Sequence, residues 1–285
     1  LFLRHEQELV RAVTPAPTLW VSGPNTTAQL HYDPSHNFHT LLQGSKTVRL
    51  YPPAAWVTMS LYPYSHPARR QLQRGAKLPP DGGLTVTLRA GDTLYIPPFW
   101  FHQVTAGPEV GGAVSITVVS PSRDEILQSA YILAKEDFPP SRQDRMGAAL
   151  AHLRRTLSVV RPRPDHSDKL GPNEPIVSFY KHFAEVRHIP EVSTRSKSNP
   201  CNVSCWESST QCAHPEVSET LMADAERLGR VFSQISSDGV RDIVLGDYVE
   251  TVLVWALQSA ADQISCYAVT CLEDDIAAAA HQCSS

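Results

Sequence analysis

The stretch His31-Tyr32-Asp33-Pro34-Ser35-His36-Asn37-Phe38, read together with Lys46 and with Trp100-Phe101-His102, decides the fold of this chain. Residues two apart on a β-strand point to one face, so a strand carrying His31 and Asp33 offers an imidazole nitrogen and a carboxylate oxygen to a single point. A third ligand has to come from another strand facing the same interior. The run Gly91-Asp92-Thr93-Leu94-Tyr95-Ile96-Pro97-Pro98-Phe99-Trp100-Phe101-His102 offers it, because Gly91-Asp92 reads as a turn and Leu94-Tyr95-Ile96 is apolar and β-prone. Tyr95, Phe99, Trp100 and Phe101 are expected to wall a dry cavity around His102; aromatics at strand spacing also serve as plain core. Two imidazoles and one carboxylate leave about three of six positions open on Fe(II), which suits a metal that binds both an organic cosubstrate and O2. A structural zinc site closes its shell instead.

A bare His-x-Asp triplet also arises by chance, and its surroundings have to decide. Lys46 lies on the run Thr40-Leu41-Leu42-Gln43-Gly44-Ser45-Lys46-Thr47-Val48-Arg49-Leu50-Tyr51, whose Gln43-Gly44-Ser45 breaks two β-prone stretches as a hairpin would. A lysine pointing inward there is costly to bury unless an anion meets it, so an interior Lys46 implies a carboxylate partner. The alternative is a solvated strand lysine.

With these residues in place, the stretch from about Leu19 to Ser120 resembles the catalytic core of the JmjC, or cupin-like, Fe(II)- and 2-oxoglutarate-dependent oxygenases. Within them it is most similar to the asparaginyl hydroxylase that inhibits hypoxia-inducible factor. The matching text is HYDPSHNF at 31–38, the lysine of QGSKTVRLYPP, LYPYSHPARRQ, AGDTLYIPPFWFH and a final GG-x-x-S-I-T-V strand. The resemblance implies a mainly β core, a double-stranded β-helix of the cupin or jelly-roll kind, followed by an α-helical C-terminal region. It implies His31, Asp33 and His102 as iron ligands and Lys46 as the partner of the far carboxylate of 2-oxoglutarate. Asn37 matches an asparagine beside the cosubstrate, and Arg70 and Gln71 match a pair on a loop over the substrate site. Three residues before His31 the relative has a hydroxyl that helps hold 2-oxoglutarate, whereas this chain has Ala28, with Thr27 one place earlier. On the last core strand a polar residue of the relative aligns with Val118 or Val119, and His39 stands where an aromatic is expected.

The activity implied is hydroxylation of a protein or peptide side chain, with Fe(II), 2-oxoglutarate and O2 consumed together. Two alternatives stay open: a JmjC lysine demethylase, and a non-catalytic cupin-like binding module. Relatives carry further strands upstream of the motif, so the chain, which starts at Leu1, reads as a fragment or a processed form.

Downstream, the organisation changes. Residues 1–120 are the expected catalytic core, 121–160 a helical extension, 161–175 a proline-rich linker, and 176–285 an acidic, cysteine-containing helical region. Ser122 and Glu125 form a capping box, and Ser141 opens a helical pattern through Met146, Leu150, Leu153 and Leu157. In relatives the helices after the barrel make a dimer interface, so a homodimer through residues after 121 is one expectation and helices that merely cover the barrel the other. Val217, Leu221, Leu228, Val231, Phe232 and Ile235 fall at helical spacing, as do Val249, Leu253 and Ala256.

Residues 213–285 hold twelve acidic and three basic side chains, a net of −9 against −4 for the chain, which leaves +5 elsewhere. That balance argues against nucleic-acid binding by the tail. No run of eighteen apolar residues occurs, so no membrane span is expected. All six cysteines (Cys201, Cys205, Cys212, Cys266, Cys271 and Cys283) lie in the tail. With the sequons Asn25-Thr26-Thr27 and Asn202-Val203-Ser204 they favour disulfides and a secretory compartment, free thiols in cytoplasm or nucleus being the alternative.

Overall fold

A computed structural model describes residues 17–80, 83–129, 142–160 and 219–258. These fall into two compact units, one within Leu1–Met59 and Arg70–Ser129, the other within Ser60–Arg69 and Ala130–Ser285.

The first unit is a sandwich of two antiparallel four-stranded sheets of the cupin or jelly-roll kind, as the sequence implies, and helices follow it in the chain. Its strands are β1 (Pro17–Ser22), β2 (Thr27–Tyr32), β3 (His36–Gln43), β4 (Ser45–Tyr51), β5 (Leu84–Arg89), β6 (Thr93–Ile96), β7 (Phe101–Ala106) and β8 (Ala113–Ser120). One sheet has the order β1-β8-β3-β6 and the other β2-β7-β4-β5. Alternation sets the inner face. On β4, Lys46, Val48 and Leu50 are buried while Arg49 is exposed, and on β8 the buried positions are Ala113, Ser115 and Thr117. Leu41, Val48, Leu50, Leu88, Ile96, Ala106 and Ala113 form the apolar floor between the sheets.

The hairpin expected at Gln43-Gly44-Ser45 does not form. Strand β3 pairs with β6 and β8, β4 with β5 and β7, so the chain turns a corner from one sheet to the other. Gly44 makes the corner at φ 77°, and a Cβ there would lie 2.5 Å from the Gly112 carbonyl oxygen. This corner places Lys46 on the sheet opposite β8.

After β8 the expected capping box closes the unit. Helix α1 (Arg123–Ser129) starts with the Glu125 N–H donating to Ser122 Oγ at 3.0 Å and the Ser122 N–H to Glu125 Oε2 at 3.3 Å.

The second unit contains α2 (Arg142–Val160), α3 (Glu219–Phe232) and α4 (Asp238–Leu257), so residues 142–160 share a unit with the later helices. The periodic residues Met146, Leu150, Leu153, Leu157, Leu221, Leu228, Phe232, Val249, Leu253 and Ala256 are buried as their spacing predicts. At Gly229 α3 approaches α2 so closely that a Cβ would lie 2.6 Å from the Thr156 carbonyl oxygen. No helix among the described residues is long and apolar enough to cross a membrane. Residues 161–175, Val217 and the six cysteines lie outside the described residues, and with them the linker and disulfide expectations.

Candidate metal centre

Strands β2 and β7 are neighbours, and in their register His31 stands directly opposite His102. The two rings are 4.2 Å apart, centroid to centroid. Asp33, one residue past the end of β2, brings Oδ2 to 3.7 Å from His102 Nε2. One ligand atom from each of the three side chains lies within 4.8 Å of the others. A separation of 3.7 Å is too long for a hydrogen bond, so these groups face one another without satisfying one another. Such a cluster fits a divalent metal.

Backbone carbonyls set the tautomers. The Nδ1–H of His31 donates to the Gln29 carbonyl at 2.7 Å, and that of His102 to the Trp100 carbonyl at 3.1 Å, so both Nε2 lone pairs face inward. Burial, and then the neighbouring His31, hold the His102 pKa down at about 4, which keeps its imidazole neutral and able to ligate at pH 7. Asp33 is fixed through its backbone, since the Phe99 N–H donates to its carbonyl at 2.7 Å. Phe99 adopts φ 61°, a left-handed conformation costing on the order of 1–3 kcal/mol. The capping box grips the same loop: Ser122 Oγ donates to the Pro34 carbonyl and Ser35 Oγ to Glu125 Oε2, both at 2.7 Å.

Lys46 is 3% exposed. Its Nζ donates to Ser115 Oγ on the facing sheet at 2.7 Å, and no protein carboxylate meets it among the described residues. Desolvation pulls its pKa below that of a free lysine. Two of its three donors point at no protein acceptor, the state expected of an ammonium that receives an outside anion. Two further buried polar side chains of the inner face each leave one atom without a protein partner. Asn37 is buried and donates weakly to Asp33 Oδ2 at 3.5 Å, while its Oδ1 has no partner; on β8 the residue facing it is Val119. Buried His39 engages Thr117 Oγ1 through Nδ1 at 3.0 Å and leaves Nε2 without a partner.

Other expected residues divide. Segment 70–72 runs beside β2, with the Tyr32 N–H donating to the Arg70 carbonyl at 3.2 Å, the Leu72 N–H to the Leu30 carbonyl at 2.8 Å, and Gln71 bridging to His31. Arg70 and Gln71 are thus next to the cluster. Thr27 is not in the cup. A bulge between Ala28 and His31 shifts the register, so Ala28 pairs with inward Val104 while exposed Thr27 pairs with Thr105, Oγ1 to Oγ1 at 3.0 Å. The aromatic wall needs the same correction. Phe99 and Phe101 pack on Tyr32, the residue between His31 and Asp33, whose side chain points to the face of β2 opposite His31, with centroids 5.8 and 5.3 Å away. Tyr95 is 44% exposed and bonds His36 Nδ1 at 2.8 Å. Trp100 alone of the four packs against the floor between the sheets. Ser115, Thr117 and His39 add polar groups to the inner face; the alternation of small polar residues on Ala113-Val114-Ser115-Ile116-Thr117 is the sequence signal for the two on β8.

The family model of the cupin-like domain matches residues 3–120. Over 96 residues the chain is 31% identical to the lysine-specific demethylase JMJ31 of Arabidopsis thaliana, covering 30% of this chain and 18% of that protein. It is 35% identical over 95 residues to the Jumonji C domain-containing protein 5 of Drosophila melanogaster, 30% and 23% covered, and 32% identical over 98 residues to the lysine-specific demethylase JMJ30 of Arabidopsis thaliana, 30% and 22% covered. The chain therefore spans less than a quarter of the length of each of these relatives. Residues 3–120 are thus similar to a cupin-like domain, and about a third of the chain is similar to part of proteins named lysine-specific demethylases. These names support neither asparaginyl specificity nor a secretory compartment.

Proposed function

We propose that the chain is a JmjC-type Fe(II)- and 2-oxoglutarate-dependent oxygenase acting on a protein side chain. The observation that carries this reading is the pairing of a His-Asp-His cluster with a buried lysine that has one hydroxyl partner and no protein carboxylate. His31, Asp33 and His102 hold Fe(II) through two Nε2 atoms and a carboxylate oxygen, and Lys46 with Ser115 holds the far carboxylate of 2-oxoglutarate. The bound iron supplies the activation of O2 that lets an unactivated C–H bond be oxidised, with 2-oxoglutarate converted to succinate and CO2.

The chain's own side chains supply position and neutrality. The Gln29 and Trp100 carbonyls orient the imidazoles, burial keeps His102 unprotonated, and the Phe99 N–H with the Ser122–Glu125 box holds the Asp33 loop. In this reading Arg70 and Gln71 contact the substrate peptide, a role supported only by the backbone bridge of Gln71 to His31.

Of the side chains such a site could oxidise, N-methylated lysine is favoured over asparagine, because two of the similar proteins are named lysine-specific demethylases. Simple side-chain hydroxylation is the second reading. Incubating the chain with Fe(II), 2-oxoglutarate, O2 and peptides bearing trimethyl-lysine or asparagine tests both. Succinate release with a loss of about 14 Da marks demethylation, and a gain of about 16 Da marks hydroxylation. No 2-oxoglutarate binding and no succinate with any peptide leaves the non-catalytic module as the correct reading.

A further inference from the structure

The cup contains an imidazole that the proposed reaction does not use. His39 lies on β3 at an inward position, 7% exposed, opposite Thr117 on β8. Its Nδ1 meets Thr117 Oγ1 at 3.0 Å, and its Nε2 is a buried nitrogen with no protein partner. Two residues before Thr117 on the same face of β8 is Ser115, which holds Lys46 at 2.7 Å. His39 is therefore beside the lysine. Its pKa is down at about 4, by burial first and then by the Lys46 ammonium, so it is neutral at pH 7.

A neutral imidazole has one N–H to give. Where the Thr117 hydroxyl donates to Nδ1, the proton sits on Nε2, and that buried N–H needs an acceptor. The neighbouring ammonium cannot be one. An anion drawn in by Lys46 supplies the acceptor, and its presence selects this tautomer.

We propose that His39 is a specificity-determining residue of the cosubstrate site, its Nε2–H donating a second hydrogen bond to the Lys46-bound carboxylate of a dicarboxylic 2-oxo acid. The proposal rests on the reading of the cup as a 2-oxoglutarate site. It gives the chain a Lys-His pair on that carboxylate, with the Thr117 hydroxyl orienting the imidazole. A hydrogen bond to a charged group implies that its loss weakens binding about 10- to 100-fold.

The test is anaerobic calorimetric titration of 2-oxoglutarate into the Fe(II)-loaded chain, with the Fe(II) affinity of each variant measured separately. His39→Phe is expected to raise the 2-oxoglutarate Kd by about 10- to 100-fold while Fe(II) affinity stays within about 3-fold. His39→Gln, whose amide N–H reaches a similar place, is expected to retain most of the affinity. The metal-free His39→Phe protein is expected to melt at a higher temperature than the parent, because an unsatisfied buried nitrogen is gone; a purely structural histidine would give the opposite. Unchanged 2-oxoglutarate affinity in His39→Phe overturns the proposal, as does a parallel loss of Fe(II) affinity. If His39→Phe does not fold, Thr117→Val serves: a loss of about 3- to 10-fold supports the proposal and no loss overturns it. A parent chain that binds Fe(II) but no 2-oxoglutarate defeats the underlying reading, and the proposal with it; a parent that binds both, with variants unchanged, defeats the His39 role alone.

Discussion

The two sheets of the sandwich contribute different chemistry to one cup. The sheet β2-β7-β4-β5 delivers His31, His102 and Lys46, with Asp33 at the end of β2; the sheet β1-β8-β3-β6 delivers Ser115, Thr117 and His39, all neutral. A buried charge needs a partner, and a buried neutral donor or acceptor needs only a hydrogen bond. On the proposed reading, one sheet fixes what binds and the other how it is held.

Removing a residue of the His-Asp-His cluster should break the site outright. His31→Ala or Asp33→Ala is expected to lower Fe(II) affinity by more than about 100-fold, beyond what loss of an outer-shell partner costs. Calorimetry with Fe(II) checks this, and iron-dependent turnover retained in both variants would refute the ligand assignment.

Lys46→Met sharpens the contrast, since it should harm function and help the metal-free fold. The 2-oxoglutarate Kd is expected to rise about 100-fold as a charge-assisted contact is lost, and metal-free stability to rise by about 1–3 kcal/mol as an under-satisfied buried ammonium is removed. Urea unfolding and the same titration measure both. An unchanged 2-oxoglutarate Kd would refute Lys46 as the partner of the anion, since Arg49 is exposed on the other face of β4.

A smaller effect is expected from the loop that carries Asp33. Glu125→Ala removes the acceptor of both Ser35 Oγ and the Ser122 N–H, and is expected to weaken Fe(II) binding about 10-fold, with Glu125→Gln largely restoring it. Equal affinity in the alanine variant and the parent would show that the Phe99 N–H alone holds the loop.

A separate effect is a pH dependence of the metal-free fold. His39 sits at about 4 in the fold against 6.5 in a free histidine, so between these values the unfolded chain binds more protons. Metal-free stability therefore falls as pH drops from 6.5 to about 4 and levels off below. His39→Phe should make that decline shallower by about 2 kcal/mol, read from melting temperature against pH. An unaltered slope would mean that His39 is not desolvated.

The same division governs what the sequence makes legible. His31, Asp33, His102 and Lys46 are rare in strand interiors, so their positions in an alternating pattern carry information by themselves. Ser115, Thr117 and His39 matter through which way their strands face, and that depends on pairings between distant strands. Thr27 shows the sensitivity: in a regular strand it shares a face with His31, and a single bulge after Ala28 turns it outward. Gly44 is the counterpart on β3–β4, where one glycine reads equally well as a hairpin turn or as a corner between sheets, and only the partners β5 to β8 decide. The helical periodicities of α2 to α4 were legible because a helix buries its stripe by local spacing alone.

On the proposed reading, a metal cluster and a buried lysine hold one small diacid between them. Anaerobic titration of 2-oxoglutarate into the metal-free chain, the Fe(II)-loaded chain and Fe(II)-loaded Lys46→Met tests it most directly. Tight binding is expected only where iron and lysine are both present. Equal affinity in all three samples would contradict it.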